Sequence, residues 1–84
     1  RIMMRVFGYK KADFTTDQGV EITGYNVYIG TDINPKYGEG FSVERAYLTD
    51  AKIAKDNIDL AALVNTDVHV YYNRYGKVDS IQPC

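Results

Sequence analysis

The chain has 84 residues, 45% of them hydrophobic and 25% charged, with a formal net charge of −1. Such a chain is one globular domain: too short for two cores, too apolar for disorder, and without the ~20-residue apolar run of a membrane-spanning helix. Nucleic-acid binders usually carry a positive excess, so any phosphate contacts here must come from cations gathered on one face.

Residues 2–14, IMMRVFGYKKADF, are predicted as a long first strand. Ile2, Met4 and Val6 share one parity and Met3, Phe7 and Tyr9 the other, with Gly8 where the pattern can bend or bulge. The polar TTDQG then offers Gly19 for a positive φ and predicts a hairpin. VEITGYNVYIG returns as strand two. Val20 and Ile22 have one parity and Tyr25, Val27 and Ile29 the other, so a bulge at Gly24 would bring both sets to one face.

TDINPKYGEG reads as a loop, and FSVERAYL as strand three, in which Phe41, Val43, Arg45 and Tyr47 alternate with Ser42, Glu44, Ala46 and Leu48. TDAKIAKDN has an N-cap candidate at Thr49 or Asp50 followed by helix formers. IDLAALVNTD either prolongs that helix or is an apolar connector that plugs one end of the fold. VHVYYNR is strand four, and KVDSIQP is strand five after the Tyr75-Gly76 turn.

Strand, strand, strand, short helix, strand, strand is the element order of an OB-fold. The predicted class is therefore mainly β: a five-stranded OB-fold-like Greek-key barrel over residues 1–84, with one short helix between strands 3 and 4. A small open sheet with one helix packed on it is the competing architecture. Closure would remove most exposed edges. Val6, Ile22, Val27, Val43, Val68 and Val70 are the expected core, with Leu60 and Leu63 closing one end.

Catalysis and metal binding find little support. His69 is the single histidine and Cys84 the single cysteine, and no His, Cys or carboxylate cluster has ligand spacing. Asp13 and Asp17 flank a turn, where solvated carboxylates are common. GYNVYIG lacks the strand-to-helix context of a phosphate loop. The expectation is a non-enzyme with no cofactor and no metal. A lone cysteine fits a reducing cytoplasm. Arg1 in place of Met points to a trimmed N-terminus, and no segment has the pattern of a secretion signal.

The cations stand beside rings. Lys10 and Lys11 end strand one, Lys36 adjoins Tyr37, Arg45 lies near Tyr47, and Arg74 and Lys77 bracket Tyr75. In strand four, inward Val68 and Val70 take Tyr72 with them and leave Tyr71 outside. Single-stranded nucleic acid is held by this combination, cations following the phosphates and rings stacking the bases, each base being worth ~1–3 kcal/mol. The candidate site is Lys10, Lys11, Lys36, Tyr37, Arg45, Tyr47, Tyr71, Arg74, Tyr75 and Lys77. For any one tyrosine the plainer reading is a cross-strand aromatic pair, with lysines protecting an edge. Glu39 and Glu44 lie close to the candidate site and oppose it.

The span from ADFTTDQG through GYNVYIG to VHVYYNRYGKVDSI resembles the small helix-destabilising proteins of filamentous phages and their relatives on mobile elements. The resemblance implies an OB-fold, single-stranded-DNA binding without base preference, cooperative coating of exposed strands, a role in DNA replication and a two-fold homodimer. By position it makes Phe14 to Gly19 the early hairpin and Tyr71 to Lys77 the late one. The acidic balance and the helical stretch YLTDAKIAKDNIDLAAL depart from that family's pattern.

Three functions follow in order. The first is sequence-tolerant binding of single-stranded DNA, with RNA as the related ligand. The second is a protein–protein interaction module whose tyrosine-rich barrel surface meets another protein, since Tyr and Arg are also enriched at interfaces. An enzyme completed by a partner is third.

Overall fold

The structure, a computed structural model, describes residues 4–84; Ile2 and Met3, which entered the first-strand pattern, and Arg1 lie outside the described residues. In chain order the elements are β1 (Met4–Lys11), β2 (Phe14–Thr15), β3 (Glu21–Ile22), β4 (Gly24–Asp32), β5 (Phe41–Thr49), α1 (Asp50–Lys55), α2 (Leu60–Leu63), β6 (Val68–Tyr72) and β7 (Val78–Pro83). The protein is mainly β. Its strands form an antiparallel three-stranded sheet in the order β1-β4-β5 and two hairpins, β2–β3 and β6–β7.

Period-2 alternation decides what the three-stranded sheet buries. Val6, Val27, Ile29, Ala46 and Leu48 share its inner face and are all buried. Ile58, Leu60 and Leu63 from the helical segment and Val68 and Ile81 from the β6–β7 hairpin complete the core over that face. Each of the Val, Leu and Ile side chains among them stabilises the fold by roughly 1.5–3 kcal/mol. One irregularity matters for the opposite face. The β1–β4 register shifts between Val6, opposite Ile29, and Gly8, opposite Tyr28. Phe7 is thus a bulge residue, and its ring folds over Gly30 on the outer face.

The predicted closed barrel does not form. Two bridges, Arg5–Asp67 and Val6–Val64, join β1 to the segment leading into β6. The Asn65 N–H donates to the Val6 carbonyl at 2.7 Å, and the Val6 N–H to the Thr66 carbonyl at 3.3 Å. Among the described residues no continuous ladder follows. On the far side, among the described residues, β5 pairs only with β4, and β7 only with β6. A bulge at Asp79, between the pairs Tyr71–Ser80 and Tyr72–Val78, bends β7 beside β5.

The helix count and position also change. The first two predicted strands are each broken in two, at Ala12–Asp13 and at Thr23, so helix formation follows the fifth strand instead of the third. At these breaks the Asp13 carboxylate accepts from the Gly24 N–H at 3.2 Å, and the Ala12 N–H donates to the Gly24 carbonyl at 2.9 Å. No register bulge forms at Gly24. Thr49 caps α1 by accepting from the Lys52 N–H. Asn57, at φ 52°, turns the chain out of α1, and Asp59 caps a second helix.

Core membership differs at four positions. Leu48 and Ala46 turn inward against β4, so alternation sends Val43 out to 54% exposure alongside Arg45 and Tyr47. Ile22 and Val70 are half-buried. Tyr72 is 47% exposed, because the β6–β7 hairpin runs past the edge of the core before it turns. Among the described residues no helix is long and apolar enough to cross a membrane.

Candidate nucleic-acid interface

The outer face of the β1-β4-β5 sheet is organised in cross-strand rows. Lys10, Asn26 and Tyr47 form one row, and Gly8, Tyr28 and Arg45 the next; Arg5, Gly30 and Val43 form the third. Rows lie ~7 Å apart along the strands and strands ~4.8 Å apart across them. A strip about 10 Å wide therefore carries Lys10 and Arg5 at its β1 edge and Arg45 at its β5 edge, with Asn26, Tyr28 and Gly30 between.

Two of its rings are fixed from below. Tyr47 lies over Gly24, whose added Cβ would come within 2.7 Å of the Tyr47 hydroxyl, and that hydroxyl donates to the Ala12 carbonyl at 2.8 Å. Phe14, on the β2–β3 hairpin, tilts against the same ring at 5.6 Å. Burial raises the Tyr47 hydroxyl pKa, and the nearby Asp13 and Asp50 charges add to the shift. At the other end Phe7 covers Gly30 and meets Phe41 edge-on at 5.0 Å.

Beside this face runs a groove of about 560 Å3. Ala12, Phe14 and Tyr47 form one wall, Gly76 and Lys77 of the β6–β7 turn with Val78 of β7 form the other, and Asn26 and Glu44–Ala46 lie between. Its size suits a small organic group such as a base. The Tyr72 hydroxyl donates to Glu44 Oε1 at 3.0 Å and ties the late hairpin to β5.

No family model, curated protein or solved structure matches the chain.

The candidate residues divide into groups. Arg45, Tyr47 and Lys77 meet in the groove, and Lys10 shares the row of Tyr47. Lys11 turns the other way, onto the Tyr25 ring at 4.7 Å and to Asp50 and Asp13 at 3.0 and 3.2 Å. Tyr37, 80% exposed, lies in the β4–β5 loop with Lys36 over its ring. Tyr75, 72% exposed, carries Arg74 at 5.1 Å in the β6–β7 turn. Tyr71 is exposed on β6.

Charge pairing separates the cations further. The ion pairs among described residues use Arg5 with Asp67, Lys11 with Asp13 and Asp50, and Lys52 with Asp79. Lys10, Lys36, Arg45, Arg74 and Lys77 have no such pair with a described residue. The acids thus neutralise Lys11 and Lys52 away from the strip and Arg5 in its third row, and leave Lys10, Arg45 and Lys77 available. Glu44, which lines the groove, is in no such pair and accepts from the Tyr72 hydroxyl.

Phe14, Asn26 and Tyr28 were not singled out as site residues from the sequence. Alternation in GYNVYIG does place Asn26 and Tyr28 opposite Val27 and Ile29, but joining them to Lys10 and Arg45 requires the register of both neighbouring strands. His69 is exposed, and no group of metal-ligating side chains occurs among the described residues.

Proposed function

We propose that this chain is a non-enzymatic, sequence-tolerant single-stranded-DNA-binding protein of the phage or mobile-element type, working in the cytoplasm as a homodimer in DNA replication. The single observation that carries the reading is the strip on which the Lys10–Asn26–Tyr47 and Gly8–Tyr28–Arg45 rows adjoin the groove wall bearing Lys77, its cations free of ion pairs with described residues. Cations at both margins suit a phosphate backbone and flat groups between them suit bases, whose stacking tolerates any sequence. The architecture attached to this reading is OB-like but unclosed, with β1 near β6 and β5 near β7. Lys36–Tyr37 and Arg74–Tyr75 are secondary contacts at two loop tips; RNA is the related ligand.

A fluorescence titration with unstructured oligonucleotides at two salt concentrations tests the reading. Affinity should fall steeply as salt rises. A second reading, a protein-interaction surface, draws on exposed Phe41 and Val43 along a β5 edge that no other described strand pairs. Contact of that kind should change little with salt, and absence of oligonucleotide binding at low salt would favour it.

A further inference from the structure

Most of the aromatic rings already have partners. Phe7 packs on Phe41, Tyr9 on Tyr25 and Phe14 on Tyr47. Lys11, Lys36 and Arg74 lie over Tyr25, Tyr37 and Tyr75, and Tyr72 is hydrogen-bonded to Glu44. Among the described residues, only Tyr28 and Tyr71 have no ring, cation or hydrogen-bonded partner of these kinds.

Of the two, Tyr28 occupies the centre of the cationic strip. Its row neighbours are Arg45 on β5 and Gly8 on β1. A Cβ added at Gly8 would meet nothing within 4 Å, whereas one at Gly30 or Gly24 would strike the Phe7 ring or the Tyr47 ring. The Phe7 ring thus covers the row on one side, the Tyr47 ring lies over Gly24 beyond the row on the other, and the middle row is left open beside a tyrosine. Gly8 has no positive φ to account for its being glycine.

We propose that the Gly8–Tyr28–Arg45 row is the base-stacking platform of this face: one nucleobase lies on Tyr28 over the open space at Gly8, and Arg45 takes the adjoining phosphate. This assignment rests on the single-strand-binding reading above and names the ring within it that carries the stacking. Tyr47, held by Ala12 and Phe14, then acts as a fixed wall of the strip. An open glycine has a use under this assignment, since any side chain there would fill the space that the base takes.

The test compares a labelled oligothymidylate with an abasic deoxyribose-phosphate oligomer of the same length, for the parent, Tyr28→Leu, Gly8→Val and Arg45→Ala. Tyr28→Leu and Gly8→Val should each weaken oligothymidylate binding by about 5- to 150-fold while leaving the abasic oligomer's affinity unchanged. Arg45→Ala should weaken both. If Tyr28→Leu fails to fold, as judged by circular dichroism, Gly8→Val decides alone, because its added side chain enters open space. Parent-like binding by a folded Gly8→Val, with Arg45→Ala still impaired, would overturn the platform and leave the single-strand reading standing. Failure of the parent to bind either oligomer at low salt would overturn both.

Discussion

The Tyr72 hydroxyl and the Glu44 carboxylate are joined at 3.0 Å, tying β6 to β5 beside the β5–β7 seam where a closed barrel would have had backbone pairing. One exposed side-chain bond therefore stands where a ladder is missing. A hydrogen bond to a charged group contributes ~1.5–3 kcal/mol when sheltered, and less where water competes. Tyr72→Phe should lower stability by about 1 kcal/mol or less in urea unfolding. Tyr72→Ala should cost about 1–2 kcal/mol, well under the ~3–5 of a fully buried aromatic. A loss of 3 kcal/mol or more for Tyr72→Ala would place the ring in the core after all.

Stability should fall at both ends of the pH range, for different groups. Hydrogen bonds from Lys11 and then Thr23 hold the Asp50 carboxyl below its ordinary 3.8. Its contribution is complete above that value and is lost as pH falls through the lower folded-state value. Tyr47 and Tyr72 run the other way. Burial lifts both above the ordinary 10.0, and the bond to Glu44 lifts Tyr72 further. Their contribution is complete below pH 10.0 and lost as pH climbs through the raised values. Thermal melts across pH, with tyrosinate absorbance followed in parallel, should show Tyr47→Phe and Tyr72→Phe removing part of the alkaline loss only.

Two glycines on one face should respond in opposite senses to a methyl group. At Gly24 a Cβ would overlap the Leu48 carbonyl oxygen, a backbone atom that cannot step aside, and would press on the Tyr47 ring. Gly24→Ala should cost about 1–3 kcal/mol, as overpacking does. Gly8→Ala meets no neighbour and restricts the unfolded chain, so it should be neutral or stabilising by up to ~1 kcal/mol. Chemical denaturation of the pair checks both, and equal losses would contradict the open space at Gly8.

Adjacent lysines should differ in their effect on binding. Lys10 lies on the strip, whereas Lys11 is held by Asp13 and Asp50 on the other side of β1. If single strands bind the strip, Lys10→Ala, Arg45→Ala and Lys77→Ala should each reduce the slope of log K against log salt by about 0.7. Lys11→Ala should leave that slope alone. The same titrations report on Tyr75→Ala, which should weaken binding by ~1–3 kcal/mol with little change in stability, because its ring is mostly in solvent.

Much of this was legible in the residues, and the failures have a common origin. Alternation placed Val6, Val27 and Val68 in the core, and capping chemistry placed the start of α1 at Thr49 or Asp50, of which Thr49 is the cap. Gly8 was read as a position for a bend, and the register shift falls there. Val43 was misplaced because alternation does not say which of two faces turns inward, and Ala46 and Leu48 take that side; Tyr72 was misplaced because parity does not say how far along a strand a face stays covered. Lys11 was grouped with Lys10 by nearness in sequence, although neighbours on a strand point to opposite sides. The breaks at Ala12–Asp13 and Thr23 depend on one carboxylate reaching across to Gly24, a contact between residues 11 apart. Closure of the barrel depended on β5 meeting β7, and nothing local in either segment encodes that distance.

The molecule measures 47 × 25 × 24 Å, with a radius of gyration of 14.0 Å. A compact chain of this length would have about 12 Å. Friction in solution follows shape as well as mass, so a particle almost twice as long as it is wide diffuses like a heavier sphere. A single copy should leave a sizing column ahead of compact standards of 9.5 kDa and show a slowed rotational correlation time. The proposed dimer is therefore to be judged by light scattering or sedimentation equilibrium, where the mass itself is measured and a concentration-independent monomer value would rule it out.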